Sequence, residues 1–288
     1  MREANSKAPR LPSEVVDDPQ LSQKAERLEE LVRSLDSVVV AYSGGVDSTL
    51  LLKVCLDVLG KERVLAVTAE SETYPPEEVE GAKQLAAALG ARHLIIRTEE
   101  LCNPNFASNP PERCYFCKQE LFGKLLEVAR REGMRYVVDG SNADDIGDFR
   151  PGMRAVKELG IRSPLKEAGL TKAEIRMLSK ALGLPTWDKP AMSCLASRFP
   201  YGHRITPEEL RMVGEAERFI RDLGFKTVRV RHHGRLARIE VDPSEVERMA
   251  KEEVRGEVVR RLKELGYVWV SLDLEGYRTG SMNEALRR

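Results

Sequence analysis

The apolar positions change period along the chain, and each change marks an element. Leu21, Leu28, Leu31, Val32 and Leu35 recur at helical spacing, which predicts a helix over 21–35. Ser37-Val38-Val39-Val40-Ala41-Tyr42 is instead a continuous apolar run, the form of a strand buried on both faces. After a Gly-rich turn, Leu50-Leu51-Leu52 with Val54 and Cys55 reads as a helix. The same reading gives a strand at 64–68, a helix at 76–89, a strand at 93–96, a helix at 114–131 and a fourth strand at 136–139. Strand and helix alternating at this spacing imply an α/β fold, a parallel sheet with helices on both faces. Ligands of such sheets sit beyond the carboxyl ends of the strands. The loops after Tyr42, Thr68, Ile96 and Asp139 are therefore the places to look.

The alternation breaks over 185–207, where Pro185, Pro190, Pro200 and Pro207 fall. Beyond it the pattern predicts a helix (207–223), a strand pair (227–231 and 236–241), a helical stretch (244–265) and a last strand (267–273), a smaller C-terminal α+β domain. Residues 1–20 carry Ser, Pro and charge without apolar periodicity and read as a flexible tail. The expected division is thus a tail (1–20), an α/β domain (21–190), a cysteine-containing crossover (191–206) and an α+β domain (207–288).

Composition narrows the function classes. Lys plus Arg count 46 and Asp plus Glu count 46, so there is no cationic excess to draw the chain to a nucleic-acid backbone. No apolar run reaches the ~18 residues that span a bilayer. The polar start lacks the apolar core of a secretion signal, so a cytoplasmic protein is expected. Five cysteines, an odd number, point to reduced thiols rather than a disulfide framework.

Ser43-Gly44-Gly45-Val46-Asp47-Ser48 lies between the first strand and its helix. Two glycines let the backbone approach a ligand, N–H groups at the helix start point at it, and Ser43 and Ser48 add hydroxyls. It is an anion cradle without the GxxxxGK[ST] or GxGxxG spacings of other nucleotide loops. A second chemical signal is Cys114-Tyr115-Phe116-Cys117, which follows Asn109-Pro110-Pro111. The prolines place both thiols in a first helical turn, on one face, where the dipole favours thiolate. Zinc, redox and cluster uses all remain open for such a pair. Cys194 lies in the crossover, Cys55 reads as packing and Cys102 as a bystander. Three thiolates can hold a zinc ion or a [4Fe–4S] cluster with one open iron. His203 is a candidate fourth ligand for zinc.

SGGVDS resembles the signature of the PP-loop ATP pyrophosphatases, which cleave ATP between the α and β phosphates and adenylate an acceptor oxygen. The resemblance implies that Ser43, Gly44, Gly45, Asp47 and Ser48 hold pyrophosphate and Mg²⁺. It also implies that Gly140–Asp145, with Asn142 and Asp145, is a second nucleotide loop, and that Glu70 lies by the adenosine. Cys194-Leu195-Ala196-Ser197-Arg198-Phe199-Pro200-Tyr201-Gly202 and Val228-Arg229-Val230-Arg231-His232-His233-Gly234 are more specific. Together with SGGVDS they resemble the LarE-type ATP-dependent sulfur transferases, from about 21 to 283.

That resemblance implies a small-molecule substrate, a pyridinium dicarboxylate mononucleotide whose carboxylates become thiocarboxylates for a nickel-pincer cofactor. Cys114 and Cys117 beside Cys194 resemble the form with a three-cysteine [4Fe–4S] cluster, rather than the form in which a lone cysteine gives up its sulfur. Arg229 and Arg231 alternate along a strand and so share a face. With Ser197 and Arg198 they are expected on the substrate phosphate, in the C-terminal domain of a homo-oligomer. Glu217 and Glu240 resemble the family's carboxylates for a divalent cation. Sulfide or a sulfur carrier is the expected donor. The rival expectations are a sacrificial-cysteine sulfur donor of the same family, in which Cys194 gives up its sulfur, a tRNA thiolase of the same superfamily, and a nucleotide- or metal-binding regulatory protein.

Overall fold

The computed structural model describes residues 18–145, 151–190, 193–278 and 280–281. Most of the expected tail, the first two residues of the expected crossover and the end of the chain lie outside them. The chain runs through α1 (Pro19–Ser34), β1 (Val38–Ala41), α2 (Val46–Leu59), β2 (Val64–Glu70), α3 (Pro76–Ala88) and β3 (Arg92–Arg97). It continues through α4 (Pro104–Ala107), α5 (Arg113–Arg131), β4 (Tyr136–Val138), α6 (Gly152–Glu158), α7 (Pro164–Glu167) and α8 (Lys172–Ala181). It ends with α9 (Pro207–Asp222), β5 (Val228–His233), β6 (Leu236–Val241), α10 (Val246–Ala250), α11 (Glu252–Glu264) and β7 (Trp269–Leu272).

Two compact units divide these elements. The first draws on residues 18–71, 76–98 and 114–190, the second on 72–75, 99–113 and 193–281. The cut therefore differs from a single boundary near 190. Short backbone bonds explain why the early segments join the second unit. Leu195 N–H donates to the Thr73 carbonyl (2.8 Å), Gly202 N–H to Asn109 (2.9 Å) and Ile205 N–H to Ala107 (2.8 Å). Asn109 is wholly buried in a left-handed conformation (φ +55°), and its side-chain amide donates to the Phe199 and Pro200 carbonyls.

The first unit is a parallel sheet in the order β3-β2-β1-β4. Successive side chains of a strand point to opposite faces. Val38 and Val40 accordingly pack with Leu28 and Val32 of α1 and Leu50, Leu51 and Val54 of α2. Val39, Leu65 and Val137 pack on the other face with Phe122 and Leu125 of α5. Burial on both faces is what the unbroken apolar run of β1 requires. The sequence reading leaves 152–181 unassigned, and three helices occupy it. The last, α8, opens with a closed capping box, in which Thr171 takes the Glu174 N–H and Glu174 takes the Thr171 N–H.

The second unit is a sheet in the order β5-β6-β7, antiparallel then parallel. A two-residue turn joins β5 to β6, and its Gly234 adopts φ +62°. Val228, Val230, Ala237, Ile239 and Val241 form the apolar face, covered by Ala216 and Ile220 of α9, Met249 of α10 and Val258 and Leu262 of α11. The predicted single helical stretch 244–265 is broken at Lys251, which is extended (φ −60°, ψ 143°).

Candidate active site

In the first unit the chain passes from β1 to β2 and β3 on one side and places β4 on the other. The order reverses at β1, and the crevice there is where parallel sheets bind ligands. Two loops meet at it. The first is Ser43–Gly45, leading into α2. Gly44 has φ +67°, and a Cβ there would stand 3.0 Å from the Ala82 backbone, so only glycine fits. No side chain caps α2, which leaves its first N–H groups to an incoming anion. Ser43 Oγ lies 3.1 Å from Ser48 Oγ, so both hydroxyls sit on one side of the loop.

The second loop follows β4. A Cβ on Gly140 would come 3.1 Å from Ser48 N, so this glycine admits the helix start to the crevice. Asn142 Nδ2 donates to Asp47 Oδ1 (3.2 Å), and Asn142 N–H donates to Asp145 Oδ2 (3.0 Å). The expected residues Asp47, Asn142 and Asp145 are thus joined by hydrogen bonds, and Ser48 stands beside Gly140 of the same loop. Glu70 ends β2, is exposed, and is not among the side chains joined there. Asp47 offers the carboxylate that a hard cation takes, and the open helix start offers N–H donors for phosphate. These residues fit ATP with Mg²⁺.

In the second unit the sheet face opposite the apolar core carries Arg229 and Arg231 of β5 with Arg238 and Glu240 of β6. Alternation places both β5 arginines on one face as expected, and that face is not solvated: each is only 5% exposed. Arg231 Nη2 donates to Glu240 Oε2 (2.6 Å) and Nη1 to the Ser197 carbonyl (3.0 Å). Its Nε is buried without a hydrogen-bond partner, a donor that a phosphate oxygen can satisfy. Arg229 stacks its guanidinium 5.0 Å from the Tyr277 ring. Burial, with the neighbouring Arg198 charge, pulls the Arg229 guanidinium below its ordinary range against the pull of Glu217.

Arg198 is held by Glu217 through two bonds, Nε to Oε1 (2.5 Å) and Nη2 to Oε2 (3.1 Å). Val230 N–H also donates to Glu217 Oε1 (2.9 Å). Burial pushes the Glu217 carboxyl up, but the charge and hydrogen bonds of Arg198, with Arg229 and Val230 N–H, outweigh it and hold it low. Glu240 takes Arg238 (3.1 Å) besides Arg231. Glu217 and Glu240, expected to hold a divalent cation, are here occupied with guanidiniums.

Cys114 and Cys117 lie in the first turn of α5, one exposed and one half-buried, and neither is in a disulfide. Cys194, also outside any disulfide and half-buried, belongs to the second unit. It precedes the short turn Leu195–Arg198, and its carbonyl accepts from Ser197 Oγ (2.8 Å) and Arg198 Nη1 (3.4 Å). Exposed and half-buried thiols of this kind are ligands that soft metals accept. Cys55 is wholly buried in the core, which pushes its thiol up and keeps it inert.

Comparison with known proteins fixes the relationship. A pyridinium-3,5-bisthiocarboxylic acid mononucleotide synthase of Lactiplantibacillus plantarum is 40% identical over 268 residues, 93% of this chain and 96% of its own. The chain belongs to the LarE-type family of ATP-dependent sulfur transferases. An NAD synthase family model also matches residues 21–115, the part with the PP-loop. An uncharacterized protein of Synechocystis is 48% identical over 93% of this chain and all of its own (100%). Another, of Methanocaldococcus jannaschii, is 30% identical over 84% of this chain and 91% of its own.

Two lysines of this LarE-type site escape the sequence reading. Lys172 Nζ donates to Asp47 Oδ2, and Lys172 N–H donates to Asp144 Oδ2 (2.8 Å). Lys189 Nζ bridges the Gly44 carbonyl (3.2 Å) and Glu78 (2.8 Å). The one local signal for Lys172 is its place directly after the capping residue Thr171.

Proposed function

We propose that the protein uses ATP to adenylate the carboxylates of a pyridinium-3,5-biscarboxylic acid mononucleotide and exchanges them for thiocarboxylates. The observation that carries this reading is the likeness, along 93% of the chain, to a synthase named for the bisthiocarboxylic acid mononucleotide. The chemistry needs activation because a carboxylate oxygen is a poor leaving group and AMP is a good one. A carboxylate oxygen attacks the α-phosphorus of ATP, the bond to the bridging oxygen breaks, and pyrophosphate leaves with that electron pair. The N–H groups at the start of α2, the hydroxyls of Ser43 and Ser48, and Lys172 take up the charge on pyrophosphate. Asp47 is the ligand for Mg²⁺, which when bound shields the phosphates.

A sulfur nucleophile then adds to the acyl carbon, and AMP departs with the electrons of the carbon–oxygen bond. Ser197, Arg198, Arg229 and Arg231 hold the substrate phosphate and keep the acyl carbon in place, a proximity effect. Cys114, Cys117 and Cys194 are the ligands for a [4Fe–4S] cluster, which when bound supplies sulfur at the iron that no cysteine occupies. Sulfide or a sulfur carrier replenishes it. The same reading makes the protein a cytoplasmic homo-oligomer. No helix among the described residues is long and apolar enough to cross a membrane.

Anaerobic incubation with ATP and the biscarboxylic mononucleotide tests the proposal. Pyrophosphate release should require the mononucleotide, and the product mass should show sulfur in place of oxygen. Release that needs tRNA and ignores the mononucleotide would overturn it.

A further inference from the structure

The second unit holds a cluster of metal-type donors that the reaction above does not use. Thr206-Pro207-Glu208-Glu209 carries the same T-x-x-E pattern as Thr171-Lys172-Ala173-Glu174. Both patterns start helices, and in both the threonine takes the N–H of the glutamate. Only Glu174 completes the box by reaching back to the threonine N–H. The Glu209 carboxylate is turned instead to two imidazoles. His203 Nε2 lies 3.0 Å from Oε2 and 3.1 Å from Oε1, and His232 Nε2 lies 3.3 Å from Oε1.

His232 is the informative member. It stands at the end of the apolar face of β5 and is 2% exposed. Its Nδ1 is 3.0 Å from the buried Tyr267 hydroxyl, while its buried Nε2 faces Glu209 at 3.3 Å without a well-aligned hydrogen bond. An orphaned buried polar atom calls for a ligand. In the tautomer that donates Nδ1–H to Tyr267, Nε2 presents a lone pair towards Glu209, the arrangement that metal-bound histidines share. His203 is oriented by stacking on Phe199, whose ring centroid is 5.5 Å away at 29°.

The spacing fits a metal. One ligand atom from each of the three residues lies within 4.8 Å of the other two. Donors about 2.0–2.1 Å from a tetrahedral centre stand about 3.3 Å apart, close to the distances from Glu209 to either ring. Two imidazoles and a carboxylate suit a borderline cation with one position left open.

We propose that His203, Glu209 and His232 bind a zinc-class divalent ion, using none of the three cysteines assigned to the cluster. The ion joins the segment after Arg198 and the start of α9 to the strand that carries Arg229 and Arg231. It thereby acts as a positioning element for the substrate arginines. The positioning role rests on the proposed function, whereas the metal site itself does not.

The test uses the full chain with Cys114, Cys117 and Cys194 all replaced by alanine, stripped with chelator and titrated with Co²⁺ and then Zn²⁺. One equivalent of Co²⁺ should give the visible bands of a tetrahedral nitrogen–oxygen site without thiolate charge transfer, and Zn²⁺ should displace it. Glu209→Gln and His232→Asn should abolish the bands. Tyr267→Phe should bind on the order of tenfold more weakly. The more exposed position makes Glu209→Gln the variant to rely on if His232→Asn misfolds by circular dichroism. Absence of stoichiometric cobalt binding, or unchanged binding in a folded Glu209→Gln, would overturn the site.

Discussion

Replacing Glu217 by glutamine should destabilise the second unit far more than the size of the change suggests. Arg198 and Glu217 are 1% and 0% exposed, and their pairing uses both carboxylate oxygens. The amide keeps the shape and can still accept from Val230 N–H, but it removes the charge and turns an NH₂ towards a guanidinium. Breaking one side of a buried pair costs about 3–5 kcal/mol, because the remaining charge stays buried without compensation. Glu215→Gln is the control on the same helix. Its partner Arg261 is 3.2 Å away at the surface, and such pairs contribute under about 1 kcal/mol.

Urea unfolding followed by fluorescence separates the two variants. Trp187 belongs to the first unit and Trp269 to the second, so a Trp187→Phe background reports the second unit alone. The prediction carries a pH signature. The folded Glu217 carboxyl lies below its ordinary value of 4.5, so its contribution is fully present above that value. It is lost as pH falls through the folded value. Acid should therefore destabilise the wild type more steeply than Glu217→Gln. If Glu217→Gln lost no more stability than Glu215→Gln, the pair would not be holding Arg198, and the reasoning would fail.

Asp47→Asn should abolish pyrophosphate release while leaving the urea midpoint within experimental scatter, and wild-type release would sink the PP-loop assignment. Arg229→Ala and Arg231→Ala should each raise the mononucleotide requirement rather than that for ATP. Each lost charge-assisted contact is worth about 1.5–3 kcal/mol, and normal mononucleotide binding by folded variants would refute the clamp. Alanine at Cys114, Cys117 or Cys194 should remove the anaerobic iron–sulfur absorption and sulfur transfer together, with mononucleotide-dependent pyrophosphate release retained. A protein mass after turnover that shows Cys194 converted to dehydroalanine would establish the sacrificial route instead.

What was legible in the sequence is what a short stretch of chain settles by itself. Val38–Ala41 is buried on both faces, so an unbroken apolar run announced it. Gly44 needs a left-handed backbone at a point of close approach, so the glycine pair announced the loop. The alternation of Arg229 and Arg231 gave their shared face but not its burial, which the neighbouring strand and Ser197 impose. Lys172 meets Asp47 across 125 positions of sequence, and no local pattern carries such a pairing. The break at Lys251 lacks the proline or glycine that would mark it, and the glutamates that follow suit the new helix start equally well as a continuing helix. Thr171-x-x-Glu174 and Thr206-x-x-Glu209 show the limit most directly. Both are sound helix starts, and local energetics prefer the closed box in each by a similar margin. Only the arrival of His203 and His232 from either side of α9 in the sequence decides that one glutamate caps and the other faces two imidazoles. The role of Glu209 is therefore a property of three segments at once, and that is why it had to be read from the fold.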